Sequence, residues 1–131
     1  MICVIGLGYV GLPLANAFAK KYNVVGIDIS ENRIKELNEF NDQTLELSSD
    51  ELKKTIGSSL QIFSDINKAK NCKIFIVTVP TPLTDSKQPD LSPVINATKS
   101  AASILKKDDI IIFESTVYPG ATEEVCVPIL E

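Results

Sequence analysis

The 131-residue chain has no histidine, and its three cysteines, Cys3, Cys72 and Cys126, are odd in number, widely spaced and without a Cys-x-x-Cys pair. Zinc and disulfide-framework readings therefore fail. Cys3 and Cys126 sit in apolar segments and read as small buried hydrophobes, and nothing near Cys72 except lysines could activate its thiol. Basic patches are missing too. Lys20-Lys21, Lys53-Lys54 and Lys106-Lys107 are isolated pairs in a chain of net charge −4, which argues against a nucleic-acid partner. No apolar run approaches the roughly 20 residues of a membrane helix, which argues against a membrane partner. No basic n-region opens the chain, so cytoplasm is the expected compartment. Internal repeats and low-complexity tracts are also lacking.

What is present begins at once. The apolar run Ile2-Cys3-Val4-Ile5 feeds a Gly-x-Gly-x-x-Gly turn at Gly6, Gly8 and Gly11, followed by apolar residues at helical spacing. That is strand, tight turn, helix. Gly6 permits the turn, Gly8 lets a pyrophosphate approach bare backbone, and Gly11 allows close helix–strand packing. Phosphates would rest on the helix N-terminus, where unpaired N–H groups and the helix dipole favour negative charge. Gly11, Ala15 and Ala19, spaced by four, make a smooth helix face for a sheet. Val24-Val25-Gly26-Ile27 reads as a second buried strand and ends on Asp28, close to the roughly 20-residue offset at which the fingerprint places its acid. That carboxylate suits adenosine ribose hydroxyls and repels a 2′-phosphate, so NAD is expected over NADP.

At 131 residues, with 44% apolar and 23% charged residues, the chain is one domain able to bury a core. Strand and helix signals alternate, predicting an α/β doubly wound parallel sheet, Rossmann-like, in three α/β/α layers. Strands are predicted near 2–6, 24–28, 60–63, 73–79 and 109–114, the last two covered on both faces because their apolar runs are continuous. Helices are predicted near 9–21, 31–39, 50–56, 65–70 and 93–106, with Ser30 and Ser92 as N-caps. Residues 41–59 read as a solvated loop plus a short surface helix. Glu123 and Glu124 begin a further helical pattern that stops at Glu131, so residues 1–131 are expected to be the first part of a longer protein.

Ligands of open parallel sheets sit beyond the carboxyl ends of the strands. Four such segments should line one crevice: the glycine turn, Asp28, Val79-Pro80-Thr81-Pro82, and Glu114-Ser115-Thr116-Val117-Tyr118-Pro119-Gly120. The prolines would hold the Thr81 hydroxyl in place, or the segment is a plain turn. Thr116 has the same two readings. Glu114 is a general base or, more simply, a solvated strand end, and Tyr118 a turn aromatic. Arg33 either pairs with the adenosine end of the cofactor or is a surface residue.

Together, Ile5-Gly6-Leu7-Gly8-Tyr9-Val10-Gly11-Leu12-Pro13, Asp28 with Arg33, Val79 to Pro82 and Glu114 to Gly120 resemble the N-terminal domain of the UDP-glucose/GDP-mannose dehydrogenase family. Thr78-Val79-Pro80-Thr81-Pro82, Gln88-Pro89-Asp90-Leu91 and Glu114 to Gly120 are most similar to its UDP-N-acetylhexosamine 6-dehydrogenases of capsule, Vi antigen and O-antigen synthesis. The resemblance implies oxidation of a UDP-sugar's C6 alcohol to the carboxylate with two NAD. It implies that Leu7, Gly8, Tyr9, Val10 and Gly11 contact the pyrophosphate, Asp28 the ribose and Arg33 the adenosine side. Val79, Pro80, Thr81, Pro82, Ser115 and Thr116 would lie on the nicotinamide side, with Thr116 also placing a water. It further implies a homodimer for the full-length protein. The family's nucleophilic cysteine stands in a Gly-Gly-x-Cys context that this chain lacks, so the chain is expected to bind cofactor without turnover. Two rivals stay open: a regulatory dinucleotide-sensing module, and another NAD-dependent hydroxyl dehydrogenase of the same fold.

Overall fold

The computed structural model describes residues 1–79, 86 and 90–114. Five parallel strands, β1 (Ile2–Ile5), β2 (Val24–Ile27), β3 (Leu60–Phe63), β4 (Ile74–Val77) and β5 (Ile110–Phe113), form one sheet in the order β3-β2-β1-β4-β5. Ile2 stands level with Val24 and Ile74, Val24 with Leu60, and Ile74 with Ile110. The carboxyl ends are therefore flush. The order reverses between β1 and β4, and a crevice opens where crossovers leave in opposite directions.

Period-two alternation of β1 sorts the core into two layers. Ile2 and Val4 face α1 (Gly11–Ala19), α2 (Glu31–Asn38) and α3 (Ser49–Thr55), packing with Leu12, Leu37 and Leu52. Cys3 and Ile5 face α4 (Ser92–Ala102) and the 3-10 turn Ile66–Ala69, packing with Phe75, Ala97 and Ala101. Leu7, Leu12, Leu37, Leu52 and Leu60 are completely buried, each contributing roughly 1.5–3 kcal/mol. The small-residue face of α1 is as expected: Gly11, Ala15 and Ala19 are all buried.

Helix starts follow local chemistry. Ser30 accepts the Arg33 N–H at 3.2 Å, and Ser48 accepts that of Glu51 at 3.2 Å. At α4 the expected Ser92 cap is displaced: Ser92 is already helical, and the Asp90 carboxylate takes its N–H at 2.9 Å. An extra residue fits between carboxylate and helix because Asp reaches its own backbone two residues on. That bond, with the Ser92 hydroxyl, holds the Asp90 carboxyl below its ordinary pKa.

Three expectations need correction. The predicted helix at 65–70 is one 3-10 turn, its start taken by the Asp65 carboxylate on the Asn67 N–H at 3.0 Å, because the short β3–β4 connection leaves no room for more. α4 ends at Ala102, and Asp108 adopts φ 73° before β5. Among the described residues β5 is an edge strand, with Ile111 and Phe113 packed under α4 and Ile110 and Ile112 exposed at 54% and 39%. A continuous apolar run does not by itself say that both faces are covered. The helical pattern after Glu123, and Cys126 within it, lie outside the described residues.

Candidate dinucleotide site

Three glycines shape the turn after β1, each differently. Gly6 has φ 95°, and a Cβ there would stand 3.0 Å from the Val79 N and Cγ1. Gly11 lies directly against the turn: a Cβ would overlap the Gly6 carbonyl oxygen and the Thr78 hydroxyl. Gly8 is the opposite case: apart from its chain neighbours, no atom of the described residues lies within 4 Å of where its Cβ would be. Space over Gly8 is therefore open, while Gly6 and Gly11 are locked by packing. Thr78, buried at the end of β4, ties down the same turn by donating its hydroxyl to the Gly6 and Ile5 carbonyls at 2.7 and 3.0 Å.

The N–H groups of Gly8, Tyr9 and Val10 donate to no acceptor among the described residues. They stand free just before α1, whose first turn carries no side-chain cap. An anion placed there gains both free donors and the positive end of the helix dipole. Tyr9 and Val10 are exposed, while the Leu7 side chain is completely buried and reaches the place a Cβ on Gly26 would take.

Asp28 joins this turn directly. Its Oδ2 accepts the Leu7 N–H at 2.9 Å, and its Oδ1 accepts the Ser30 N–H at 2.9 Å. A carboxylate has about four acceptor positions, so two are left for hydroxyl donors. Leu7 is correspondingly committed: its N–H goes to Asp28 and its carbonyl accepts from Arg33 Nε at 2.8 Å. Both main-chain groups of Leu7 are thus engaged within the protein, and among the described residues the neighbouring Gly8, Tyr9 and Val10 N–H groups are the ones left without an acceptor.

A cleft of about 700 Å³ lies over the carboxyl ends of the strands and takes in Gly6, Gly8, Asp28, Arg33 and Val79. Its size suits a ligand of a few hundred daltons. The sequence reading missed several of its residues: Ile29, which is 90% exposed beside Asp28, Ser64 and Asp65 after β3, and Asp90 and Asn96 at the start of α4. The strand-end rule would have found Ser64 and Asp65 had it been applied to β3.

Arg33 is neither a free surface residue nor open to the cleft along its whole length. Its side chain is 11% exposed, with Nη1 paired to Glu36 and, at 2.9 Å, to Asp42. Asp42 was read as part of a solvated loop, but its side chain is fully buried. Burial raises its pKa, yet the Thr44 hydroxyl, Arg33 and the Leu47 and Thr44 N–H groups outweigh this and hold it below its ordinary value.

The remaining candidates separate clearly. Glu114 is exposed at the end of β5, as a solvated strand end should be. Cys3 and Cys72 are buried, and the hydrogen bond with Cys72, followed by burial, pushes the Cys3 thiol up, so it stays protonated. Pro80, Thr81, Pro82, Ser115, Thr116 and Tyr118 lie outside the described residues.

A parallel sheet with its order reversed at a glycine turn, free amides over that turn and an acid at the end of the neighbouring strand defines a dinucleotide-binding domain. The comparisons narrow the class. Residues 1–131 match the model of the UDP-glucose/GDP-mannose dehydrogenase family, NAD binding domain, and the chain belongs to that family. It is 55% identical over 130 residues to a UDP-N-acetyl-D-glucosamine 6-dehydrogenase of Pseudomonas aeruginosa, and 50% identical over 129 residues to one of Salmonella typhi. These alignments cover 99% and 98% of the chain but 30% of each relative, so the chain spans about a third of their length. Among solved structures, a UDP-D-ManNAc dehydrogenase from Pyrococcus horikoshii superposes with a TM-score of 0.91 at 34% identity, over 98% of this chain and 32% of that one. The cofactor is NAD, and the residues fit it: the open backbone at Gly8 has room for a diphosphate beside an acid suited to a ribose. Among the described residues no helix is long and apolar enough to cross a membrane.

Proposed function

We propose that the chain is the NAD-binding part of a longer dehydrogenase that oxidises the C6 alcohol of a UDP-N-acetylhexosamine to the carboxylate, consuming two NAD. The observation that carries this reading is the turn itself: unobstructed backbone at Gly8, joined through Leu7 to the Asp28 carboxylate. Gly8, Tyr9 and Val10 would give their N–H groups to the diphosphate, with Gly6 and Gly11 shaping the bend. Asp28 would accept from the adenosine ribose hydroxyls, and Arg33 would lie on the adenosine side. Val79, Pro80, Thr81, Pro82, Ser115 and Thr116 would form the nicotinamide side, Thr116 also positioning a water.

Bound NAD supplies the hydride acceptor. The chain's residues hold and orient it: free amides offset the diphosphate charge without a lysine, and Asp28 both shapes the bend and reads the ribose. The names of the relatives support the UDP-sugar substrate and disfavour the purely sensory module. The nucleophilic chemistry falls to parts of the full-length protein beyond this chain, because the chain has no Gly-Gly-x-Cys segment and Cys3 and Cys72 are buried. Cytoplasmic location and a homodimer belong to the same reading.

The test is a substrate panel on the full-length protein. UDP-N-acetylglucosamine or UDP-N-acetylgalactosamine should reduce two NAD per sugar oxidised. Reduction with neither, alongside turnover of a sugar lacking the acetamido group or of a simple alcohol, overturns the substrate assignment and leaves the NAD site standing.

A further inference from the structure

Arg33 is the one basic side chain lining the cleft among the described residues; the other charged groups there are Asp28, Asp65 and Asp90. A cofactor with an extra ribose phosphate would need this guanidinium, because an arginine beside the acid position is how such a phosphate is accommodated in this fold. The structure already engages two of its three nitrogens. Nε is on the Leu7 carbonyl, Nη1 is shared by Glu36 and Asp42, and Nη2 is buried with no acceptor among the described residues.

Asp42 is built for this task. Oδ1 accepts from Arg33 Nη1 at 2.9 Å, from the Thr44 N–H at 3.0 Å and from the Thr44 hydroxyl at 2.6 Å. Oδ2 accepts the Glu46 and Leu47 N–H groups at 3.0 and 3.1 Å. A short loop is wrapped around one ion, fixing it in place. A buried carboxylate held by so many donors stays charged at neutral pH, and in a poorly solvated setting its attraction for the guanidinium is weakly screened. Two carboxylates on one guanidinium also leave the cluster net negative, which opposes a second anion.

We propose that Asp42 is a specificity-determining positioning residue: together with Glu36 it holds the Arg33 guanidinium on the Leu7 carbonyl and denies it to a ribose 2′-phosphate. Selection of NAD over NADP then has two parts, repulsion by Asp28 and sequestration of the cleft's cation. The same clamp steadies the glycine turn, since Arg33 acts on it through Leu7. The inference rests on the ribose lying at Asp28, as proposed above.

The test measures NAD and NADP affinities by calorimetry on the full-length protein and compares wild type with Asp42→Asn, Glu36→Gln and Thr44→Val. The first two remove negative charge from the guanidinium, and Glu36→Gln does so without touching the wrapped loop. Thr44→Val removes one bond to Asp42 but no charge. Asp42→Asn and Glu36→Gln should each shrink the NAD-to-NADP affinity ratio, by about tenfold for Asp42→Asn, the scale of one regained charge-assisted contact. Thr44→Val should leave the ratio where it was. Equal loss of both cofactors in the charge variants, or an equal shift of the ratio in Thr44→Val, would show a merely structural role and overturn the inference. An unchanged ratio in a folded Glu36→Gln protein would do the same. Wild-type protein that prefers NADP would instead overturn the placement of the ribose at Asp28.

Discussion

The Leu7 N–H donates to Asp28 Oδ2 at 2.9 Å, so the turn after the first strand and the acid after the second are one hydrogen-bonded unit. On the proposed placement of NAD, binding of the diphosphate at the turn and of the ribose at the acid would be coupled through a single amide. Anything that moves Asp28 also moves the turn that Leu7 belongs to.

Asp28→Ala should weaken NAD binding by about 1–3 kcal/mol, the usual scale for hydrogen bonds to a charged group. It also leaves the Leu7 and Ser30 N–H groups without their acceptor, so the melting temperature should fall as well. Calorimetry and a thermal melt on the same preparation separate the two effects. Unchanged affinity would place the ribose elsewhere.

Gly8 and Gly11 should respond in opposite ways to alanine. A methyl at Gly11 meets the Gly6 carbonyl and the Thr78 hydroxyl, both held by other bonds, and should cost about 3 kcal/mol or more of stability. At Gly8 the methyl enters open space, so stability should stay within about 0.5 kcal/mol while NAD affinity drops. Denaturant unfolding and a cofactor titration on each variant check this. A fold lost at Gly8 would contradict the open geometry.

Thr78→Val should cost about 1–3 kcal/mol, because the Gly6 carbonyl loses a buried donor at 2.7 Å without gaining a replacement. Thr78→Ser, which keeps the hydroxyl, should recover most of that loss. Equal damage from both variants would mean that the Thr78 methyl group, not its hydroxyl, holds the turn.

Acid should reach the loop around Asp42 late. Its folded-state pKa is lowered, so the stability it contributes is fully present above the ordinary value of 3.8 and is lost as pH falls through the lower folded value. The amide resonances of Thr44, Glu46 and Leu47 should therefore hold their native positions from neutrality down to pH 4 and move only below 3.8. A midpoint above that value would reverse the sign of the shift and contradict the geometry.

Much of this was legible in the residues. All five strands, the glycine turn and Asp28 follow from apolar runs and glycine spacing, because buried strands and tight turns are specified locally. Asp42 was not legible. Three of its partners, Thr44, Glu46 and Leu47, are close in sequence, but the decisive one, Arg33, comes from the preceding helix, and nothing in a polar stretch shows that it will be folded inward. Ile110 and Ile112 failed for a related reason: whether a face is covered depends on neighbours in space. Arg33 was left between two readings, and the surface one fails, since its long side chain reaches a carbonyl that only the turn's shape brings near.

The level register of the sheet has a practical consequence at its other end. Met1, Asn23, Ser59 and Lys73 give their carbonyls to N–H groups along the amino-terminal rim, with Ile2, Val24 and Ile110 among the donors. That rim is the far side of the molecule from the cleft. A tether attached there for surface immobilisation would leave the cleft facing bulk solution, so a sensor built on this domain should be anchored by that edge.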